Sequence, residues 1–122
     1  MADALERAAL DELRAMTGGD ARLYVELLDT FLTDADLYLG ELRSAADAAS
    51  LARAAHSLKS NALTVGATEL AAACRLLEAD ARAGEVADRE ARVEAIGTRL
   101  LVARAAVTDE RNSAVPGGPD GA

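Results

Sequence analysis

The side chain best suited to chemistry in this sequence is that of His56, the single histidine of the 122 residues. A lone histidine excludes metal sites built from several imidazoles. An exposed imidazole is partly neutral near pH 7, and the lone pair of the neutral ring can attack an electrophile such as a phosphoryl group. Use of His56 as the general base of an enzyme is less favoured, because that chemistry needs further catalytic groups and a pocket, which the alanine-rich surroundings do not indicate.

The residues around His56 follow the spacing of an amphipathic helix. Its apolar stripe, which should face a core, consists of Leu51, Ala55, Leu58, Ala62 and Val65. At about 100° per residue, His56 lies roughly 140° from this stripe and should face solvent, with Lys59, Ser60 and Leu63 beside it. An ammonium one turn away could partly neutralise a phosphoryl group. An ordinary solvated surface is the alternative, and general surface statistics favour it.

Five amphipathic stretches position these residues, and together they predict an all-α protein. They span about residues 3–16, 20–46, 47–65, 68–83 and 86–107. The residues expected to cap or end them are Thr17-Gly18-Gly19, Asp20, Asp47, Gly66, Thr68-Glu69 and Gly84.

Short connections between these stretches favour antiparallel neighbours. We therefore expect an antiparallel four-helix bundle with an additional short N-terminal helix. This domain should cover residues 1–108. The Pro/Gly-rich segment 109–122 has too little apolar content to fold alone, and we expect it to be a disordered C-terminal tail.

Composition narrows the classes of function. The net charge of -8 disfavours nucleic acid and anionic membranes. No phosphate-binding loop of the ATP-binding type is present, no stretch is long and apolar enough to span a membrane, and no secretory leader is evident. We expect a cytoplasmic monomer that binds no cofactor of its own. Cys74, the single cysteine, lies at an apolar helical spacing and is expected to be a buried structural thiol.

The segment Ala55-His56-Ser57-Leu58-Lys59-Ser60-Asn61-Ala62 closely resembles the signature of histidine-containing phosphotransfer (HPt) domains. The resemblance continues through Val65-Gly66-Ala67 and through Leu70, Cys74, Leu77 and Glu78. It also includes Leu27-Leu28-Asp29-Thr30-Phe31-Leu32 on the preceding long helix. In all it spans most of residues 5–107.

This resemblance implies that His56 accepts a phosphoryl group, that Lys59 stabilises it by charge, and that Gly66 marks the tight turn between two helices. Ser60 stands where the family most often has glycine; serine is also small, so access to His56 is kept and a hydroxyl is added. In the related P1 domain of chemotaxis kinases a carboxylate from the following helix supports the histidine, and Glu78 falls at the matching place. The general behaviour of helix-surface glutamates favours instead a solvated side chain.

The same resemblance implies partners. These would be a response-regulator receiver domain, which supplies the aspartate, the acidic pocket and Mg²⁺, a sensor histidine kinase, or both. Ala52 and Leu63, on the strip that carries His56, would contact the receiver domain. The protein would then be a phosphocarrier rather than an enzyme. The alternative is a helical interaction module in which His56 takes no part in chemistry.

Overall fold

The computed structural model describes residues 4–116, which form five α-helices. Their bounds are α1 Arg7–Met16, α2 Ala21–Ser44, α3 Ala48–Thr64, α4 Thr68–Arg82 and α5 Arg89–Ala114. Helices α2 to α5 form an antiparallel bundle, and α1 packs against α2 and α3. The all-α bundle expected from the sequence is confirmed.

Helices α2 and α3 begin where their capping residues predict. Asp20 accepts hydrogen bonds from the backbone N–H groups of Arg22 and Leu23. Asp47 accepts from the N–H of Ser50, whose hydroxyl accepts in turn from the N–H of Asp47. These bonds satisfy donors that a helix N-terminus otherwise leaves unpaired, and they fix where α3 begins relative to His56.

Gly66 ends α3 and also seats the N-terminal segment. Its φ of +74° is a left-handed conformation that favours glycine. A Cβ on Gly66 would lie 2.7 Å from the backbone nitrogen of Glu6, whose N–H donates to the Gly66 carbonyl at 2.9 Å. The predicted tight turn is confirmed, and the close approach of Glu6 gives this glycine a second role.

The first and last helices differ from the prediction at their ends. Helix α1 begins at Arg7 instead of near Asp3, which lies outside the described residues. Helix α5 continues to Ala114, past the expected end near Val107, and this extension is held to other helices by Glu110, which accepts from Arg7, and by Arg111, which is paired with Asp29 of α2 at 2.9 Å. The prediction of disorder is therefore wrong for residues 109–114; residues 117–122 lie outside the described part.

Helices α3 and α4 pack closely through small side chains. The buried alanines that can contribute to this contact are Ala52, Ala55, Ala62, Ala71 and Ala81. The predicted stripe of α3 is confirmed, since Leu51, Ala55, Leu58, Ala62 and Val65 are all essentially inaccessible. Alanine at a helix contact lets the two backbones approach, so polar side chains at the edge of the contact can reach across it. Within residues 4–116, no helix is long and apolar enough to cross a membrane.

Candidate functional site

His56 lies in the middle of α3 with its side chain 53% exposed, as the helical spacing predicts. Its Nδ1 atom lies 3.0 Å from Oε2 of Glu78 on α4. The ring is therefore held by the neighbouring helix on one side, while about half of the side chain is open to solvent.

Glu78 is buried, with only 7% of its surface exposed, although it is charged. Its Oε1 accepts a hydrogen bond from Nζ of Lys59 at 2.7 Å, and its Oε2 accepts from Nε and Nη2 of Arg82 at 3.0 and 2.8 Å. The bond from Lys59 is the main cause that lowers the pKa of Glu78 to about 2, against the opposing effect of burial, and the bonds from Arg82 and His56 add to it. The interpretation of Glu78 as a solvated glutamate is wrong, because the α3–α4 packing places its carboxylate against α3.

The state of Glu78 determines which ring nitrogen of His56 carries the proton. A carboxylate with a pKa of about 2 is ionised near neutral pH and can only accept hydrogen bonds. We therefore assign the hydrogen of the neutral ring to Nδ1, which donates to Oε2. The lone pair available for attack then belongs to Nε2.

Lys59 is less exposed than its helical position predicts. Its side chain is 21% exposed, because its ammonium turns towards Glu78 and forms an ion pair with it. Ser60, one turn beyond His56, is exposed as expected. Of the predicted residues, the structure thus brings His56, Lys59 and Glu78 together and leaves Ser60 at their edge.

The two predicted docking residues differ. Leu63 is exposed on α3, one turn beyond Lys59. Ala52 is only 4% exposed, so the expectation that it presents a surface beside His56 is wrong. Its single methyl group is too short to project from the packed α3–α4 pair.

Arg82 is the member of the site that the sequence did not single out. It lies four residues after Glu78 on α4, and this spacing places two helical side chains side by side. An acid followed by a base at that spacing was the available signal. It is common on helix surfaces, and it becomes informative only when the acid is known to contact His56.

Cys74 lies in the core of α4, as the sequence predicts. Burial raises the pKa of its thiol to about 12, which keeps it protonated and unreactive. In residues 4–116, no cluster of three or more His, Cys, Asp or Glu side chains could hold a metal ion.

A small helical bundle that presents an exposed histidine, anchored through one nitrogen and flanked by a lysine, defines a class of phosphoryl-carrying protein.

Comparisons with known proteins point to the same class. The family model described as Hpt domain matches residues 26–109. The crystal structure of histidine-containing phosphotransfer protein B from Pseudomonas aeruginosa PAO1 is similar, with a TM-score of 0.82 and 32% sequence identity over 91% of this chain and 96% of that chain. No curated protein matches the chain significantly.

The chain belongs to the HPt domain family. Its function is accordingly histidine phosphotransfer in two-component phosphorelays, as a phosphocarrier rather than an enzyme. Its partners in such a relay are receiver domains and kinases.

Proposed function

We propose that His56 accepts the phosphoryl group on Nε2 and exchanges it with an aspartate of a receiver domain. The observation that carries this proposal is the 3.0 Å contact between Nδ1 and Glu78, which leaves Nε2 as the free, nucleophilic nitrogen. The exposure of the ring supports it, as does the absence of a second histidine from the sequence.

In the transfer step the Nε2 lone pair attacks the phosphorus of an aspartyl phosphate in line with the leaving oxygen. An N–P bond forms as the P–O bond breaks, and the aspartate leaves as a carboxylate. The imidazole, which keeps its Nδ1 proton, becomes positively charged, and ionised Glu78 at 3.0 Å stabilises that charge. The reverse step returns the phosphoryl group to the aspartate. Such a loose transition state needs positioning and charge neutralisation more than covalent help.

Lys59 supplies a positive charge from α3. It lies three residues beyond His56 and already touches the same carboxylate, so a short movement of its flexible side chain would bring the ammonium to a phosphoryl oxygen. Ser60, small and exposed, leaves room for the phosphoryl group and the incoming partner.

The receiver domain would supply Mg²⁺ and the acidic pocket. Beside His56 this chain offers Glu78, which is already paired with Lys59 and Arg82. Leu63 is the apolar side chain that we expect to contact the partner. We also expect the protein to act as a monomer in the cytoplasm, where its free thiol would remain reduced.

The test is phosphoryl uptake. A receiver domain labelled with ³²P on its aspartate is mixed with wild type and with His56→Gln. We expect wild type to take up label that is acid-labile and base-stable, as phosphohistidine is, and His56→Gln to take up none. If His56→Gln gained as much label as wild type, the acceptor would be another residue. If neither gained label from any receiver or kinase, a plain interaction module would be the better description.

A further inference from the structure

The Glu78 carboxylate has an unusual set of donors. Oε1 accepts from Lys59, whereas Oε2 accepts from Nδ1 of His56 at 3.0 Å and from Nε and Nη2 of Arg82 at 3.0 and 2.8 Å. Before phosphorylation, two cations therefore share one carboxylate. A single carboxylate carries one negative charge, so at that stage one of the two positive charges is not needed to neutralise it.

A phosphoryl group on His56 changes this balance, since it brings about two negative charges next to Lys59. The proposed phosphoryl group is on Nε2, the ring nitrogen that does not contact Glu78, so a Lys59 ammonium that turns towards it loosens its 2.7 Å contact with Oε1 of Glu78. A glutamate that is 7% exposed would then be held less firmly by its strongest partner. A buried charge that has lost its partner is destabilising.

Resting on the function proposed above, we propose that Arg82 is a positioning residue that lets Lys59 change partner. Arg82 holds the other oxygen of Glu78 through two N–H groups, so the carboxylate stays ionised and in place when Lys59 moves to the phosphoryl group. Glu78 can then still accept from Nδ1 of the charged ring. Arg82 acts through Glu78, and its structural contacts are with that carboxylate rather than with the reacting nitrogen.

Two features suit arginine to this role. Its guanidinium directs two N–H groups from a rigid plane, which a lysine ammonium cannot reproduce. Arg82 is also the last residue of α4, where the helix dipole favours a positive charge. Arg82 is 60% exposed, so its replacement should leave the bundle folded.

The experiment compares Arg82→Gln and Arg82→Lys with Arg75→Gln, a control with the same change of charge at an exposed position of the same helix. Each protein is loaded from a ³²P-labelled receiver domain, and the initial rate of uptake is measured. The loaded protein is then separated from the receiver, and the half-life of its phosphohistidine is followed. This second measurement does not depend on docking.

We expect Arg82→Gln to slow uptake and shorten the half-life by about three- to tenfold, the range of a partly exposed ionic contact. Arg82→Lys should recover part of the loss, and Arg75→Gln should match wild type. Lys59→Ala should slow uptake by a smaller factor in the Arg82→Gln background than in wild type. Without Arg82, the side chain of Lys59 is no longer free to leave Glu78. A purely structural or docking role of Arg82 would not produce that coupling.

Arg82 is not a positioning residue if Arg82→Gln matches Arg75→Gln in uptake rate and half-life, or if Lys59→Ala slows uptake by the same factor with and without Arg82. Either result, with a wild type that labels normally on His56, leaves the proposed function intact. A wild type that takes no label would overturn both.

Discussion

Two glutamates in this bundle are held in similar ways, and we propose different roles for them. Glu78 on α4 accepts from Lys59, Arg82 and His56. Glu110 on α5 accepts from both Nη atoms of Arg7 on α1, at 3.2 and 3.0 Å, and from the hydroxyl of Tyr24 on α2 at 2.7 Å. In both cases hydrogen bonds from a basic side chain are the main cause that lowers the carboxylate pKa.

The difference lies in the third partner. Tyr24 is completely buried, and its pKa is raised above the ordinary value, chiefly by burial, so it holds its proton and only fastens α1 and α5 to α2. His56 is half exposed, so the same kind of contact orients a side chain that can still react. A carboxylate that is largely shielded from solvent and paired with a basic side chain therefore has a structural role unless another group makes it functional. It becomes part of a functional site when its remaining donor is accessible.

The sharpest test of this comparison is the same substitution at both glutamates. Glu78→Gln should reduce the rate of phosphoryl uptake about 10- to 100-fold. The amide cannot stabilise the positive ring, and it can present an N–H group to Nδ1, which would move the ring proton to Nε2. The rate is measured with a labelled receiver domain.

Glu110→Gln is the matched control, and it should take up label at the rate of wild type. Equal losses in the two variants would mean that Glu78 acts only through the stability of the bundle. Melting curves of both proteins would show this directly.

The second test concerns Glu110 alone. Glu110→Ala should lower the free energy of unfolding by about 2 kcal/mol, because the buried Tyr24 hydroxyl loses its acceptor and Arg7 its partner. The measurement is urea denaturation. In a Tyr24→Phe background, Glu110→Ala should lower the free energy of unfolding by a smaller amount, since no hydroxyl is left unpaired. A slower phosphoryl uptake by Glu110→Ala at a temperature where it is fully folded would contradict the separation of the two clusters.

The sequence predicts the local features of this molecule well. Asp20 and Asp47 mark the starts of α2 and α3 because capping is decided within a few residues. The exposure of His56 follows from the apolar stripe of its own helix. The family resemblance adds the expectation that His56 is the acceptor and a candidate carboxylate, which periodicity alone could not single out.

Features that depend on other helices were predicted less well. Glu78 meets His56 across 22 positions of sequence, and its burial depends on how closely the alanines of α3 and α4 approach. The extra turns of α5 depend on Glu110 and Arg111, whose partners lie on α1 and α2. Ala52 was misplaced for a similar reason, because the angular position of a residue does not tell how far its side chain projects beyond a neighbouring helix.

Lys59→Ala tests whether the positive charge beside His56 matters apart from the orientation of the ring. We expect uptake to slow about fivefold, less than in Glu78→Gln, because Arg82 still holds Glu78 in contact with Nδ1. The fold should survive, since Ala is a good helix former. Lys59→Arg, which keeps the charge, is the control and should recover most of the rate. Unchanged kinetics in Lys59→Ala would remove Lys59 from the mechanism.

The smallest expected effect is on stability in acid. The pKa of Glu78 is lowered from 4.5 to about 2 in the folded protein, so its ionised form stabilises the fold above about pH 4.5, and this contribution is lost as pH falls towards 2. Solvent screening at the exposed Arg82 reduces the contribution to about 1 kcal/mol. Denaturant titrations at pH 7 and pH 3 should show that the free energy of unfolding falls less between these two pH values in Glu78→Gln than in wild type. Equal losses would mean that the Glu78 pairs add nothing to stability, and that this cluster, unlike the one around Glu110, is maintained for the chemistry of His56 alone.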